Sequence, residues 1–185
     1  MGGTEIAAAL LGVINVLLVV RRSMWNYPFG IAMVALYFFV FWDAKLYSDA
    51  LLQIFFLTIQ FYGWWAWSRA DRVDHGVAVG WMDRGARLRW LVLTIAGILV
   101  WGAGMARFTD AAAPMADATV AGLSVAAQIL QSLRRVESWL LWVAVDVLAI
   151  GLFAWRGLGV TAALYALFLV LAVTGLFEWK RKARA

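Results

Sequence analysis

The chain has 185 residues, of which 65% are apolar and only 15% charged, with a formal net charge of +5 and no cysteine. Soluble domains carry roughly 25% charged residues, so this composition, with a mean hydropathy of +0.82, excludes an ordinary water-soluble fold and implies an integral membrane protein. Disulfides and thiolate metal sites are excluded. The basic residues sit at the ends of apolar runs rather than along one polar face, which excludes a nucleic-acid footprint in favour of anionic lipid headgroups.

Taken in order, the apolar runs predict seven spans: Glu5 to Val20, Tyr27 to Trp42, Tyr47 to Trp67, Trp90 to Ala106, Met115 to Leu133, Ser138 to Trp155, and Val160 to Trp179. No Lys or Arg precedes the apolar start at Ile6, so the first run lacks the basic region of a cleaved signal peptide and reads as a retained span. Each run approaches the roughly 20 residues needed to cross the hydrocarbon. Helices are expected, because unpaired backbone groups are too costly in lipid and the runs lack the alternation of a barrel strand. The fold class is therefore all-α integral membrane, with seven transmembrane helices.

Assigning the gaps alternately to two sides puts Arg21, Arg22, Arg69, Arg72, Arg84, Arg87, Arg89, Arg134, Arg135, Lys180, Arg181, Lys182 and Arg184 on one side. Only Lys45, Arg107 and Arg156 fall on the other. A misplaced span would scramble this parity, so the asymmetry supports the span count and makes the basic side cytoplasmic. The expected orientation in the inner (plasma) membrane has the N-terminus outside and the C-terminus inside. Trp25, Trp67, Trp90, Trp155 and Trp179 fall near span ends, where an aromatic belt is the default reading. Ser68 to Arg89 is expected to be a solvated cytoplasmic connector. It holds the lone His75 among mixed charges without regular ligand spacing, so no metal site is expected.

The two ends of the chain resemble each other. Asn15 precedes Arg21-Arg22 by the interval at which Gln128 precedes Arg134-Arg135, and Gly63 precedes Trp67 as Gly175 precedes Trp179, at offsets of 113 and 112 residues. Spans one to three thus map onto five to seven, with span four between them. That is a parallel three-plus-one-plus-three repeat, a transporter plan whose halves are related by an axis along the membrane normal. The expected units are 1–70, the first three-helix repeat; 71–112, the connector and linker helix; and 113–185, the second repeat with a basic tail.

Within the spans, Asn15, Gln53, Gln60, Gln128 and Asp146 are costly in hydrocarbon, and Tyr37 and Tyr165 are milder cases. Such groups face the bundle interior or a wet cavity, either as interhelical bonds or as contacts to a cargo. Trp139, Trp142 and Asp146 follow steps of three and four residues, which stack two indoles and a carboxylate on one helix face. That arrangement suits a flat, cationic aromatic ring through stacking, cation–π attraction and a counter-charge. Structural alternatives stand beside it: Trp139 as a belt residue, and Asp146 either paired to a neighbouring helix or protonated. Asn26 and Pro28 make a good start for the second span.

Trp25-Asn-Tyr-Pro-Phe-Gly30, Lys45-Leu-Tyr with Leu51-Leu-Gln53, Tyr62-Gly-Trp64 and Glu137-Ser-Trp-Leu-Leu-Trp142 together resemble the PnuC family of vitamin-precursor transporters. The resemblance covers essentially the whole chain. It implies a SWEET-like fold that imports nicotinamide riboside by facilitated diffusion, with trapping by another protein's cytoplasmic phosphorylation. It also implies that Trp139 and Trp142 line the substrate site, and by analogy a homo-oligomer, as a trimer. The expected substrate-binding set is Trp139, Trp142, Asp146, Gln128, Asn15, Gln53, Asn26, Gln60 and Tyr165, with no cofactor. Related transporters take thiamine or riboflavin, so thiamine or another cationic heteroaromatic is the alternative cargo. A substrate-capture subunit of a larger transporter is a further reading. An enzyme is not expected, since there is no cysteine, the lone histidine is in a polar loop, the carboxylates are dispersed, and no Gly-Lys-Ser or Gly-Lys-Thr phosphate loop is present.

Overall fold

The computed structural model of the chain describes residues 3–43, 47–74, 77–108, 113–155 and 159–183. Lys45, His75, Arg156 and Arg184 lie outside the described residues. Among the described residues there are seven helices: α1 Gly3–Val20, α2 Asn26–Asp43, α3 Tyr47–Asp74, α4 Arg84–Phe108, α5 Pro114–Ser132, α6 Glu137–Trp155 and α7 Gly159–Lys182. The expected spans are recovered in order, with two corrections. Helix α3 continues past Trp67 to Asp74, crossing the expected unit boundary at 70, and α4 begins at Arg84 rather than Trp90. Both extensions run through charged residues, which cost little in helix propensity, and those at the start of α4 are exposed. The start of α4 is capped, since Asp83 Oδ1 accepts a 2.8 Å hydrogen bond from the Ala86 N–H. The connector is therefore much shorter than Ser68 to Arg89.

Helices α1 and α5 end in the same way. After α1 the Ser23 N–H donates to Leu18 O and the Arg22 N–H to Val19 O. After α5 the Arg135 N–H donates to Leu130 O and the Arg134 N–H to Gln131 O, each at 2.9 Å. These are Schellman closures, whose left-handed position usually holds glycine. Here it holds Arg22 (φ 57°) and Arg134 (φ 61°), a backbone state that costs roughly 1 kcal/mol or more for a residue with a Cβ. The Arg22 side chain offsets this by donating from Nη1 to Val77 O at 2.7 Å.

Consecutive helices pack as two trios, α1 with α2 with α3 and α5 with α6 with α7. Among the described elements α4 leans on α5 alone, and the trios meet only through α1 with α7 and α3 with α5. Along most of its length the bundle presents apolar side chains outward, including Leu10, Leu93, Val100 and Phe177. The densest core lies at the basic end, built from Val19, Val20, Tyr27, Trp67, Val77, Val136, Trp139, Ala172 and Trp179. Two of the tryptophans expected in an interfacial belt are in this core, Trp67 at 1% and Trp179 at 0% exposure. Trp25 and Trp155, by contrast, are well exposed. Trp67 and Trp179 lie on the inward faces of α3 and α7, and position near a span end does not encode the facing direction.

Candidate substrate site

In the amino-terminal trio, three of the expected site amides converge. Asn15 of α1, Asn26 at the start of α2 and Gln60 of α3 are all buried. The Asn15 Nδ2 donates to the Asn26 carbonyl at 2.7 Å, and the Asn26 Nδ2 donates to the Ser23 carbonyl at 2.7 Å. Gly30 makes this possible, because a Cβ there would collide with the Gln60 and Asn15 amides. Gln53 stands apart, bordering an apolar groove of about 280 Å³ between α2 and α3 lined by Val34, Phe38 and Leu57. Tyr165 of α7 packs edge-on against Phe168, 6.0 Å between ring centres.

The carboxy-terminal trio holds the other grouping. The Trp142 indole N–H donates a short hydrogen bond to Oε1 of Gln131 on α5, fixing a half-buried ring. Gln131 was not among the expected residues, although it follows Gln128 by one helical turn on the same face of α5, a pattern already visible in the chain. Asp146 lies one turn beyond Trp142 on α6 and is 4% exposed. Its carboxylate forms no hydrogen bond or ion pair with another described residue. Trp139 sits one turn the other way and is 1% exposed. It packs edge-on against Trp179, 5.5 Å between centres, over Gly175, where a Cβ would strike the indole. The structure therefore separates the two tryptophans: Trp142 is anchored by an amide and partly open, whereas Trp139 is enclosed by aromatic neighbours.

Glu137 opens α6 and is also buried, a role with no sequence expectation. Its Oε1 accepts from the Met82 N–H at 2.9 Å and from the Arg87 Nε at 2.7 Å. The same segment pairs through Gly80, whose N–H donates to Arg134 O and whose carbonyl accepts from the Val136 N–H, each at 3.1 Å. Residues 77–82 thus lie as a strap across the basic end, held by Arg22 of the first trio and by Glu137 of the second.

Among the described residues the chain is an all-helical bundle with buried amides, a fixed indole and a carboxylate within its helices, an arrangement suited to a small-molecule carrier. The family model described as nicotinamide mononucleotide transporter matches residues 3–181, and the chain belongs to that family. Among similar proteins, the nicotinamide riboside transporter PnuC of Escherichia coli K12 is 27% identical over 97% of this chain and 86% of its own length. PnuC of Neisseria mucosa is 28% identical over 94% of this chain and 70% of its own length. The riboflavin/roseoflavin transporter RibM of Streptomyces davaonensis is 27% identical over 98% of this chain and 86% of its own length. A crystal structure of the vitamin B3 transporter PnuC superimposes with a TM-score of 0.80 at 26% identity, covering 98% of this chain and 82% of that one.

Proposed function

We propose that the chain is a multi-pass plasma-membrane transporter that imports nicotinamide riboside by facilitated diffusion. Asp146 carries this reading: a buried carboxylate midway along an apolar helix, with no counter-charge among the described residues and one turn from a fixed indole, calls for a cationic partner. The pyridinium ring would lie against Trp142 with Asp146 offsetting its charge. Asn15, Asn26, Gln60 and Gln128 would serve the ribose hydroxyls and carboxamide, with Gln53, at the separate groove between α2 and α3, and Tyr165 meeting the cargo along its path. Trp139 supports the turn of α6 that presents Trp142. Cytoplasmic phosphorylation by another protein would trap the cargo.

The chemistry favours the riboside over the mononucleotide. A phosphate dianion needs Lys, Arg or a cluster of N–H donors, and no lysine or arginine is buried among the described residues. Asp146 would also repel it. Riboflavin, the cargo named for one relative, is uncharged and gains no charge compensation from a carboxylate, whereas thiamine is a cationic heteroaromatic and stays as the alternative.

The apolar exterior supports a lipid surround. A three-plus-one-plus-three repeat is supported by the matching helix ends and by a packing order that is unchanged when α1, α2 and α3 are exchanged for α5, α6 and α7. In the register of those ends, 112 residues apart, Asn15 falls opposite Ala127 rather than Gln128, and Gly30 opposite Trp142.

Purified protein in partner-free vesicles is expected to take up nicotinamide riboside without ATP. Uptake that requires another subunit would instead identify a substrate-capture component. Asp146→Asn should weaken riboside affinity by about tenfold to a hundredfold without lowering the thermal midpoint of the unliganded protein, because a buried charge partner is worth a few kcal/mol. Equal riboside affinity in variant and parent would remove Asp146 from the site.

A further inference from the structure

The trios touch along two seams only among the described elements, α1 with α7 and α3 with α5. At the basic end each seam is crossed by one indole hydrogen bond. Trp67 of α3 donates from Nε1 to the Ser132 carbonyl at the end of α5, and Trp179 of α7 donates from Nε1 to the Val19 carbonyl at the end of α1, both at 3.2 Å. The two rings lie against each other with centres 5.8 Å apart. Each is also backed by an edge-on aromatic residue from the start of the neighbouring helix, Tyr27 for Trp67 and Trp139 for Trp179, at 5.5 Å in both cases. Gly63 and Gly175 leave the room those backing rings occupy.

We propose that Trp67 and Trp179 form the gate at the basic end of the permeation path, and that the strap at 77–82 latches it. The proposal rests on the reading that cargo sits near Trp142 and Asp146. From there the basic end lies past Trp139, about 10 Å along α6 from Asp146 at 1.5 Å per residue. The way out in that direction is filled by the buried aromatic cluster, so cargo reaches that end only when the seams part. Parting either seam breaks its indole-to-carbonyl bond and leaves a buried indole N–H without its acceptor, although the Val19 carbonyl keeps the Arg22 N–H, which makes the closed state a discrete one rather than a soft constriction. The strap reinforces closure from outside. Val77 inserts into the same cluster and accepts from Arg22 of the first trio, while Gly80 and Met82 are bonded to the start of α6 in the second. Neither tryptophan is placed against the cargo, so their role is separable from binding.

The absence of native cysteine allows a direct test. Ala172 is buried in the cluster on α7, two turns from Trp179 toward the opposite end, so Ala172→Cys reports opening of the gate. In nanodiscs, a water-soluble maleimide should label Ala172→Cys about fivefold to tenfold faster when Trp67→Phe or Trp179→Phe is added, the population change expected from losing one buried hydrogen bond. Riboside affinity should stay within about twofold, as expected of sites that do not touch. Unchanged labelling in variants that still bind the riboside overturns the gate. If the tryptophan variants fail to fold, Arg22→Asn decides. Asparagine tolerates the left-handed backbone but is too short to reach Val77, so labelling should rise in the same direction, and no rise overturns the proposal. If the parent itself does not bind the riboside, the cargo reading fails, while the labelling comparison still judges the gate.

Discussion

Gln131 and Trp142 tie α5 to α6 through one side-chain hydrogen bond, and it sets the angle of the ring on which a planar cargo would stack. If the bond orients the indole, Gln131→Leu and Trp142→Phe should each weaken riboside binding by about fivefold to tenfold, and the double variant should be hardly worse than either single one. Isothermal titration of the four proteins checks this, and additive losses would mean that the two residues act independently. Gly30 belongs to the same scale. Its missing side chain lets the Asn15 and Gln60 amides meet, so Gly30→Ala is expected to lower the thermal midpoint and the riboside affinity together. Spacing of three and four residues was enough to put Trp142 and Asp146 on one face of α6. It could not indicate that Trp139, one turn away, would be enclosed by Trp179, because enclosure depends on a helix 40 residues distant in the chain.

The ends of the helices were less legible than their middles. Hydropathy marks where a segment is apolar, and α3 and α4 both continue into charged residues where the pattern stops being informative. Asp83 decides the start of α4. The Ala86 N–H, first among several backbone donors, holds its carboxyl below the ordinary value of 3.8. A depressed value in the folded state means that the cap stabilises above the unfolded value and loses that effect as pH falls through the folded one. Asp83→Ala should therefore be less stable than the parent at neutral pH, and the two denaturation curves should converge in strong acid. A constant gap across that range would place the origin of the effect elsewhere. The strap is held by hydrogen bonds to Glu137, which no span prediction addressed because a glutamate at a helix start reads as an ordinary first-turn acid.

For the molecule as a whole, the two trios and the outlying α4 make a bundle whose exterior is apolar and whose charged residues collect at the ends. If the basic end is cytoplasmic, Thr4→Cys should react with an impermeant maleimide added to intact cells, and Lys182→Cys only after permeabilisation. The reverse pattern would invert the orientation and leave the fold untouched. Composition and hydropathy determined by themselves the class and the number and order of helices, because these depend on local periodicity and on the cost of placing charge in hydrocarbon. Register between the trios, the inward turn of Trp67 and Trp179, the amide that holds Trp142 and the strap across the basic end were decided only by tertiary structure. Each is a contact between different helices or segments, all but the Gln131–Trp142 bond far apart in the chain, and which faces meet is set by the packing of whole helices rather than by any residue's immediate neighbours.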